Sequence, residues 1–98
     1  MTQEELNKLN EKLLDWVGID NFLERSGLKF YLSLDDCFKK LVPKAISQIT
    51  KTFKVNIKSA WQILFSLWYQ GICDVPNNHT LALCLAIEKL IDAEDKNV

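Results

Sequence analysis

Apolar residues recur every three or four positions through the first part of the chain. They stand at Leu6, Leu9, Leu13, Trp16 and Val17. This spacing places them along one side of an α-helix. Thr2 and Glu5 have the spacing of a capping box, and Gly18 stands where a helix commonly ends. The pattern therefore predicts an amphipathic helix from Thr2 to Val17.

A second helical pattern follows a less regular stretch. The segment LKFYL, residues 28–32, predicts a short strand that leads the chain into the next element. Ser33 is a typical N-cap, and Asp35 and Asp36 would lie in the first turn, where carboxylates favour the helix dipole. Apolar residues then continue at helical spacing at Leu34, Cys37, Phe38, Leu41 and Val42. Pro43 predicts the end of this helix, because proline disfavours helical geometry at the residue before it.

The pattern changes to strict alternation from Thr50 onward. Phe53, Val55 and Ile57 alternate with polar residues, which is typical of a half-buried β-strand. The next segment, WQILFSLWY at residues 61–69, also alternates and is rich in aromatic side chains, which favours a second strand. Together the two segments predict an antiparallel hairpin over residues 50–58 and 61–69.

A helix is the alternative interpretation of residues 61–69. Ser59 and Gln62 also have capping-box spacing, and Gly71 could serve as a helix C-cap. A helix would place four large residues on one side, namely Trp61, Leu64, Phe65 and Trp68. The aromatic, alternating character favours the strand, but the residues alone leave both interpretations open.

The segment NNHTLALCLAIEKLID, residues 77–92, is apolar on nearly every side. Asn77 or Asn78 is suited to cap the start of a helix here. The apolar positions of this helix are Leu81, Leu83, Cys84, Leu85, Ile87, Leu90 and Ile91. A helix this apolar is expected at the centre of the fold, with the sheet beneath it and another helix beside it. Residues 93–98 are expected to form a polar tail.

Length and composition indicate one globular domain over residues 1–98. Hydrophobic residues make up 48% of the chain and charged residues 26%, which are ordinary globular values. No apolar run approaches the roughly 18 residues of a membrane span, and the N-terminus lacks a signal-peptide core. The three cysteines stand in apolar surroundings, which indicates reduced, buried thiols. We therefore expect a cytoplasmic α+β protein: a small layered α/β sandwich whose short antiparallel sheet packs with N-terminal, middle and C-terminal helices.

Three stretches of the chain together resemble a known family. They are LNEKLLDWVGI (9–19), SLDDCFKKLVPK (33–44), and LALCLAIEKLID (81–92) preceded by WQILFSLWYQG (61–71). In this order and spacing the chain resembles the phage ABA sandwich domain, which phages and prophages encode. The resemblance covers nearly the whole chain, implies a layered α/β fold in a bacterial host cell, and supports the strand interpretation of residues 61–69. It implies no reaction, cofactor or catalytic residue. The chain departs from the family pattern at AISQITKTFKVNIKSA (45–60), which is long and lacks a glycine turn.

Charge is distributed unevenly, although the net charge is only −1. No acidic residue lies between Asp36 and Asp74, whereas this interval holds Lys39, Lys40, Lys44, Lys51, Lys54 and Lys58. A basic segment of this kind is suited to an acidic partner. The candidate partner-binding residues are Lys44, Lys51, Lys54, Lys58 and Trp68. Trp68 would act as an apolar anchor if its side chain is exposed.

The residue types that catalysis or metal binding requires form no recognisable pattern. His79 is the only histidine and is expected to be an exposed residue at a helix start. Cys84 points into an apolar helix face, where a thiol is inert. Asp35 and Asp36 would point about 100° apart on a helix, so they are better explained as first-turn residues than as a metal-binding pair. We predict no catalytic residue, metal or cofactor, and therefore no enzyme.

Two functions are consistent with this sequence. The first is a non-enzymatic phage or prophage accessory protein that acts as a protein-interaction module on a host or phage protein. The alternative is sequence-nonspecific nucleic-acid binding through the same lysines and the aromatic residues interleaved with them. Arg25, the only arginine, lies outside the basic segment, which weakens this alternative because lysine reads no base edges bidentately. A weak homodimer through an unpaired hairpin edge is also expected.

Overall fold

Helices account for nearly all of the secondary structure. The computed structural model describes residues 1–96 and contains six α-helices in that range: α1 Gln3–Val17, α2 Phe22–Gly27, α3 Leu34–Asp36, α4 Val42–Phe53, α5 Ile57–Asp74 and α6 His79–Lys96. A 3₁₀ turn spans Phe30–Leu32, and a π-helical turn spans Cys37–Leu41. No residue of this range is in a β-strand. The predicted α+β sandwich is therefore wrong, and the described chain is an all-helical globule.

The N-terminal helix is confirmed together with both of its caps. The Thr2 hydroxyl accepts from the Glu5 backbone N–H at 3.2 Å, and the Glu5 carboxylate accepts from the Thr2 N–H at 3.1 Å. Gly18 ends the helix with a φ of 81°, a left-handed conformation that glycine adopts without steric cost. Local chemistry alone is sufficient to define this element.

The short strand predicted at residues 28–32 is wrong, and a buried asparagine explains why. Asn10 of α1 donates to the Leu28 carbonyl at 2.8 Å and accepts from the Phe30 N–H at 2.9 Å. These are the backbone groups that a neighbouring strand would otherwise satisfy. Held in this way, the segment turns into the 3₁₀ turn and buries Phe30 completely.

The middle helix begins as predicted but does not end at Pro43. The Ser33 hydroxyl accepts from the Asp36 N–H at 3.2 Å, which confirms Ser33 as the N-cap. The chain then widens into the π-helical turn, in which the Val42 N–H reaches the Cys37 carbonyl, and Pro43 lies in the first turn of α4. Proline lacks an N–H and clashes with the carbonyl four residues earlier, and a wider turn accommodates both. The helix therefore passes through Pro43.

The predicted strand over residues 50–58 is a corner between two helices. Helix α4 ends at Lys54, which has a left-handed φ of 54°, and α5 begins after Asn56, whose side chain accepts from the Ser59 N–H at 2.8 Å. The alternation of Phe53, Val55 and Ile57 thus spans a helix end, a turn and a helix start. The predicted homodimer required an unpaired hairpin edge, and this segment contains no strand that could provide one.

Residues 61–69 lie in the middle of α5. The strand interpretation is therefore wrong, and the alternative interpretation as a helix is correct. Its details differ, because Asn56 rather than Ser59 is the N-cap and Gly71 lies inside the helix. A Cβ atom added at Gly71 would lie 2.7 Å from the Ala82 carbonyl oxygen. Glycine is therefore needed here for the close approach of α5 and α6.

Helix α6 is central, as predicted, but other helices and turns cover it instead of a sheet. It packs against α5, α1 and the 3₁₀ turn. Leu83, Cys84 and Ile87 are fully buried. Asn78 is the N-cap, since its side chain accepts from the Leu81 N–H at 2.9 Å. The helix continues to Lys96, within the tail expected at 93–98, and residues 97 and 98 lie outside the described part of the chain.

The core draws its largest fully buried side chains from α1, the two turns, α4, α5 and α6. They include Leu13, Leu14, Phe30, Leu41, Ile49, Leu64, Leu83 and Ile87. Between residues 1 and 96, no helix is long and apolar enough to cross a membrane.

Candidate partner-binding surface

Aromatic side chains form a continuous row on one side of α5. The ring centroids of Trp61 and Phe65 are 5.4 Å apart, and those of Phe65 and Trp68 are 6.1 Å apart. Phe38, from the π-helical turn, meets Trp68 edge-on at 5.7 Å. These distances are in the range of attractive ring contacts. We call Phe38, Trp61, Phe65, Trp68 and Tyr69 the aromatic stripe.

Much of the aromatic stripe faces solvent because α5 buries a different side. The buried side of α5 consists of the small or aliphatic residues Ala60, Leu64 and Gly71. Phe65 remains 47% exposed and Tyr69 68% exposed. Several large apolar side chains exposed in one row mark a contact surface more often than isolated ones do.

Trp68 is a fixed part of this surface. Its indole Nε1 donates to the His79 carbonyl at 2.9 Å, which ties the middle of α5 to the first residue of α6. Its ring is half-buried between Phe38 and Phe65. The residue proposed as an exposed anchor therefore supports the stripe, and Phe65 and Tyr69 present more of their surface. The alternative interpretation of residues 61–69 as a helix predicts that Trp61, Phe65 and Trp68 lie on one side.

Three of the candidate lysines surround the corner between α4 and α5. Lys51 lies in the last turn of α4, Lys54 in the turn, and Lys58 in the first turn of α5, and all three are exposed. None of them is in an ion pair with the side chains described over residues 1–93, and the first turn of α5 holds no acid. Lys58 lies seven residues before Phe65 and so shares its side of the helix. We call Lys51, Lys54 and Lys58 the basic corner.

The remaining lysines of the basic segment are engaged elsewhere. Lys39 pairs with Asp35 at 2.9 Å, and this hydrogen bond raises the pKa of the Lys39 ammonium. Lys40 pairs with Glu24 at 3.2 Å. Lys44 donates to the Trp16 carbonyl, and its ammonium lies 4.9 Å from the centre of the Trp16 ring. The structure thus separates Lys44 from the basic corner.

The cysteines differ in burial, contrary to the expectation that all three are enclosed. Cys37 and Cys84 are buried, whereas Cys73, near the end of α5, is exposed. Contact with Cys37 and burial raise the pKa of the Cys84 thiol, so it is not an activated nucleophile. His79 is exposed at the start of α6, as predicted. Among the residues searched in the described part, no three His, Cys, Asp or Glu side chains converge as metal ligands.

A second exposed apolar area, which was not predicted, lies on α2. Phe22 and Leu23 of α2 are each 79% exposed. An open depression of about 270 Å³ beside Phe22 is lined by Glu11, Phe22, Arg25, Ser26 and Lys29. Arg25 is held by Glu11 at 2.6 Å and Asp15 at 2.9 Å. Acidic and basic side chains both surround this area, and the two carboxylates balance the charge of Arg25.

No protein-family model, curated protein or solved structure matches this chain. The resemblance to the phage ABA sandwich domain therefore stays a sequence-based prediction, without the sheet that it implied.

Proposed function

We propose that the chain is a non-enzymatic protein-interaction module, and that the aromatic stripe and the basic corner bind an acidic, apolar segment of a partner protein. One observation carries this proposal: Lys58, which is in no ion pair with the described side chains, shares a side of α5 with the exposed rings of Phe65 and Tyr69, which lie about two and three turns further along the helix. Aromatic side chains are enriched at the energetic centres of interfaces, where they contribute large contact areas at low entropic cost.

The charge of the basic corner indicates that the partner segment is acidic. Several acidic residues of α1, α2, α3 and α6 form ion pairs away from the basic corner, whereas the basic corner has no acidic neighbour in an ion pair within the described residues. A partner with carboxylates would be steered to this corner and would then bury its apolar residues on the stripe.

The contacts of the aromatic rings favour a protein over a nucleic acid. Trp61, Phe65 and Trp68 lie against one another, and Trp68 is tied by its indole N–H. Single-stranded nucleic acid binds best to rings whose faces are open for base stacking. Arginine, which would contact phosphates and bases bidentately, is absent from the basic corner, and Arg25 is occupied by Glu11 and Asp15.

The phage or prophage origin is a further part of the proposal and rests on the sequence resemblance alone. It implies a host or phage protein as the partner, in the bacterial cytoplasm.

The proposal is tested by selecting binders from a random peptide library on the immobilised chain. The retained peptides should be rich in Asp and Glu and should carry large apolar residues. A single-stranded oligonucleotide is tested in parallel over a range of salt concentrations. Nucleic-acid binding through the basic corner would give a log–log salt slope of roughly −2 for three lysines.

A charge-matched pair of variants locates the binding. Replacing Lys51, Lys54 and Lys58 with Glu should weaken the selected peptides about tenfold or more. The control replaces Lys8, Lys29 and Lys89 with Glu, which changes net charge equally at exposed positions elsewhere. Equal losses in the two variants would contradict the proposed surface. Oligonucleotide binding that only the first variant loses, without any acidic peptide, would replace the proposal with the nucleic-acid alternative.

A further inference from the structure

Cys37 and Cys84 meet in the core although they are distant in the sequence. Their Sγ atoms are 3.7 Å apart, and both residues are fully buried. Cys37 belongs to the π-helical turn and Cys84 to the second turn of α6. The Cys37 thiol also donates to the Phe30 carbonyl at 3.1 Å. Three separate segments of the core therefore converge on this pair of thiols.

We propose that Cys37 and Cys84 are a disulfide-forming pair, which joins the π-helical turn to α6 when the protein meets a small oxidised disulfide such as oxidised glutathione. The sulfur atoms are already in van der Waals contact, and their separation has to shorten to the roughly 2.05 Å of a disulfide bond. The bond would also fix the turn that carries Phe38 beside Trp68.

The reaction is a thiol–disulfide exchange in two steps. One cysteine thiolate attacks a sulfur of glutathione disulfide, which forms a mixed disulfide and releases one glutathione thiolate. The second cysteine thiolate then attacks the protein sulfur of that mixed disulfide and releases the second glutathione. The protein dithiol loses two electrons and two protons, and the glutathione disulfide gains both as two thiols.

Burial controls how fast this exchange occurs. The raised pKa of the Cys84 thiol keeps it protonated in the closed core, and no solvent reaches either sulfur. Exchange therefore proceeds through a transient opening of the core. Cys73 is exposed and is the thiol that reacts first with external reagents, so it must be removed in a test of the buried pair.

The test measures the disulfide equilibrium of a Cys73→Ser variant against a glutathione redox buffer. The measurement is made in native buffer and again in concentrated urea, until the same ratio is reached from the oxidised and the reduced sides. Because the fold holds the thiols together, the equilibrium constant for disulfide formation should be roughly 30- to 1,000-fold larger in native buffer. Intact mass should fall by two hydrogen atoms, and the oxidised form should unfold at a higher temperature.

A Cys37→Ser, Cys73→Ser variant is the control, because its single thiol can form only a mixed disulfide with glutathione. An equilibrium constant that is equal in native buffer and urea, or lower in native buffer, would overturn the proposal. A disulfide that lowers the unfolding temperature would overturn it as well, because the fold would then oppose the bond.

Discussion

Helices α5 and α6 are similar in length and apolar content but differ in what covers them. Each has 18 residues, and the two pack side by side after a short loop. Helix α6 buries Leu83, Cys84 and Ile87 completely. Helix α5 leaves about half of Phe65 and about two thirds of Tyr69 exposed. The apolar residues of α6 are therefore explained by the core, whereas those of α5 require another explanation.

The difference follows from side-chain size and from position around each helix. Helix α5 buries Ala60, Leu64 and Gly71, the last of them against Ala82 of α6, and its bulky aromatic residues lie to the side of this buried face. Helix α6 is contacted by α5, by α1 and by the 3₁₀ turn, so almost no side of it is free. An apolar helix is a core element when neighbours surround it and a candidate interface when they do not.

The largest expected effect comes from a charge placed inside α6. Ile87→Asp puts a carboxylate into a fully buried site without a partner, at a cost of about 4 kcal/mol or more, which is comparable to the stability of a small domain. The variant should lose its cooperative thermal transition by circular dichroism. Tyr69→Asp on the exposed side of α5 is the control and should cost no more than about 1 kcal/mol. Similar losses in both would remove the distinction between the two helices.

A smaller effect is expected where the two helices touch. Gly71→Ala places a Cβ 2.7 Å from the Ala82 carbonyl oxygen, so backbone must shift, and we expect a loss of about 2 kcal/mol in urea unfolding after the gain in helix propensity. Gly27→Ala meets no atom within 4 Å and should be neutral or slightly stabilising. If Gly71→Ala also stabilises the protein, α5 and α6 are not in close contact there.

Trp68 belongs to the aromatic stripe and also contacts α6. Trp68→Phe removes the hydrogen bond to the His79 carbonyl and should lower the free energy of unfolding by about 1 kcal/mol. Trp61→Phe is the matched change at the other end of the stripe and should cost less, since no hydrogen bond joins its indole to another described residue. Equal losses would show that the bond to His79 contributes nothing.

The last variant should combine a modest effect on stability with a large effect on binding. Phe65→Ser removes a side chain that is 47% exposed and contacts Trp61 and Trp68, so it should lower the free energy of unfolding by about 1 kcal/mol. The same variant should bind the selected acidic peptides about tenfold more weakly, because the apolar centre of an interface carries most of its affinity. Isothermal titration calorimetry and thermal unfolding give the two values. Unchanged peptide affinity would exclude Phe65 from the interface.

Sequence reasoning succeeded where structure depends on local chemistry. Thr2, Ser33 and Asn78 cap helices as their positions in the sequence predicted. It failed at residues 50–69, because aromatic alternation fits a strand as well as it fits the spacing of a helix with one aromatic side. Asn56, a good N-cap three residues before Ser59, was the available signal for the helix.

Other features could not be predicted because they depend on packing between distant segments. Asn10 stands among the apolar positions of α1 and resembles an ordinary surface residue until its bonds to Leu28 and Phe30 are seen. The contact between Cys37 and Cys84 likewise requires the relative placement of two helices. For the candidate site, the cluster of lysines and the helical spacing of the aromatic residues could be read from the sequence. The contact of Lys44 with Trp16, which separates this lysine from the basic corner, could not.

The most direct test of the proposed surface is to map bound peptide onto the backbone by nuclear magnetic resonance. A selected acidic peptide is titrated into isotope-labelled protein, and the change in each amide chemical shift is recorded. We expect the shifted amides to cluster from Lys51 to Ile72, along the basic corner and the aromatic stripe. Shifts centred on Phe22 and Leu23 of α2 would contradict it and would move the interface to the other exposed apolar area.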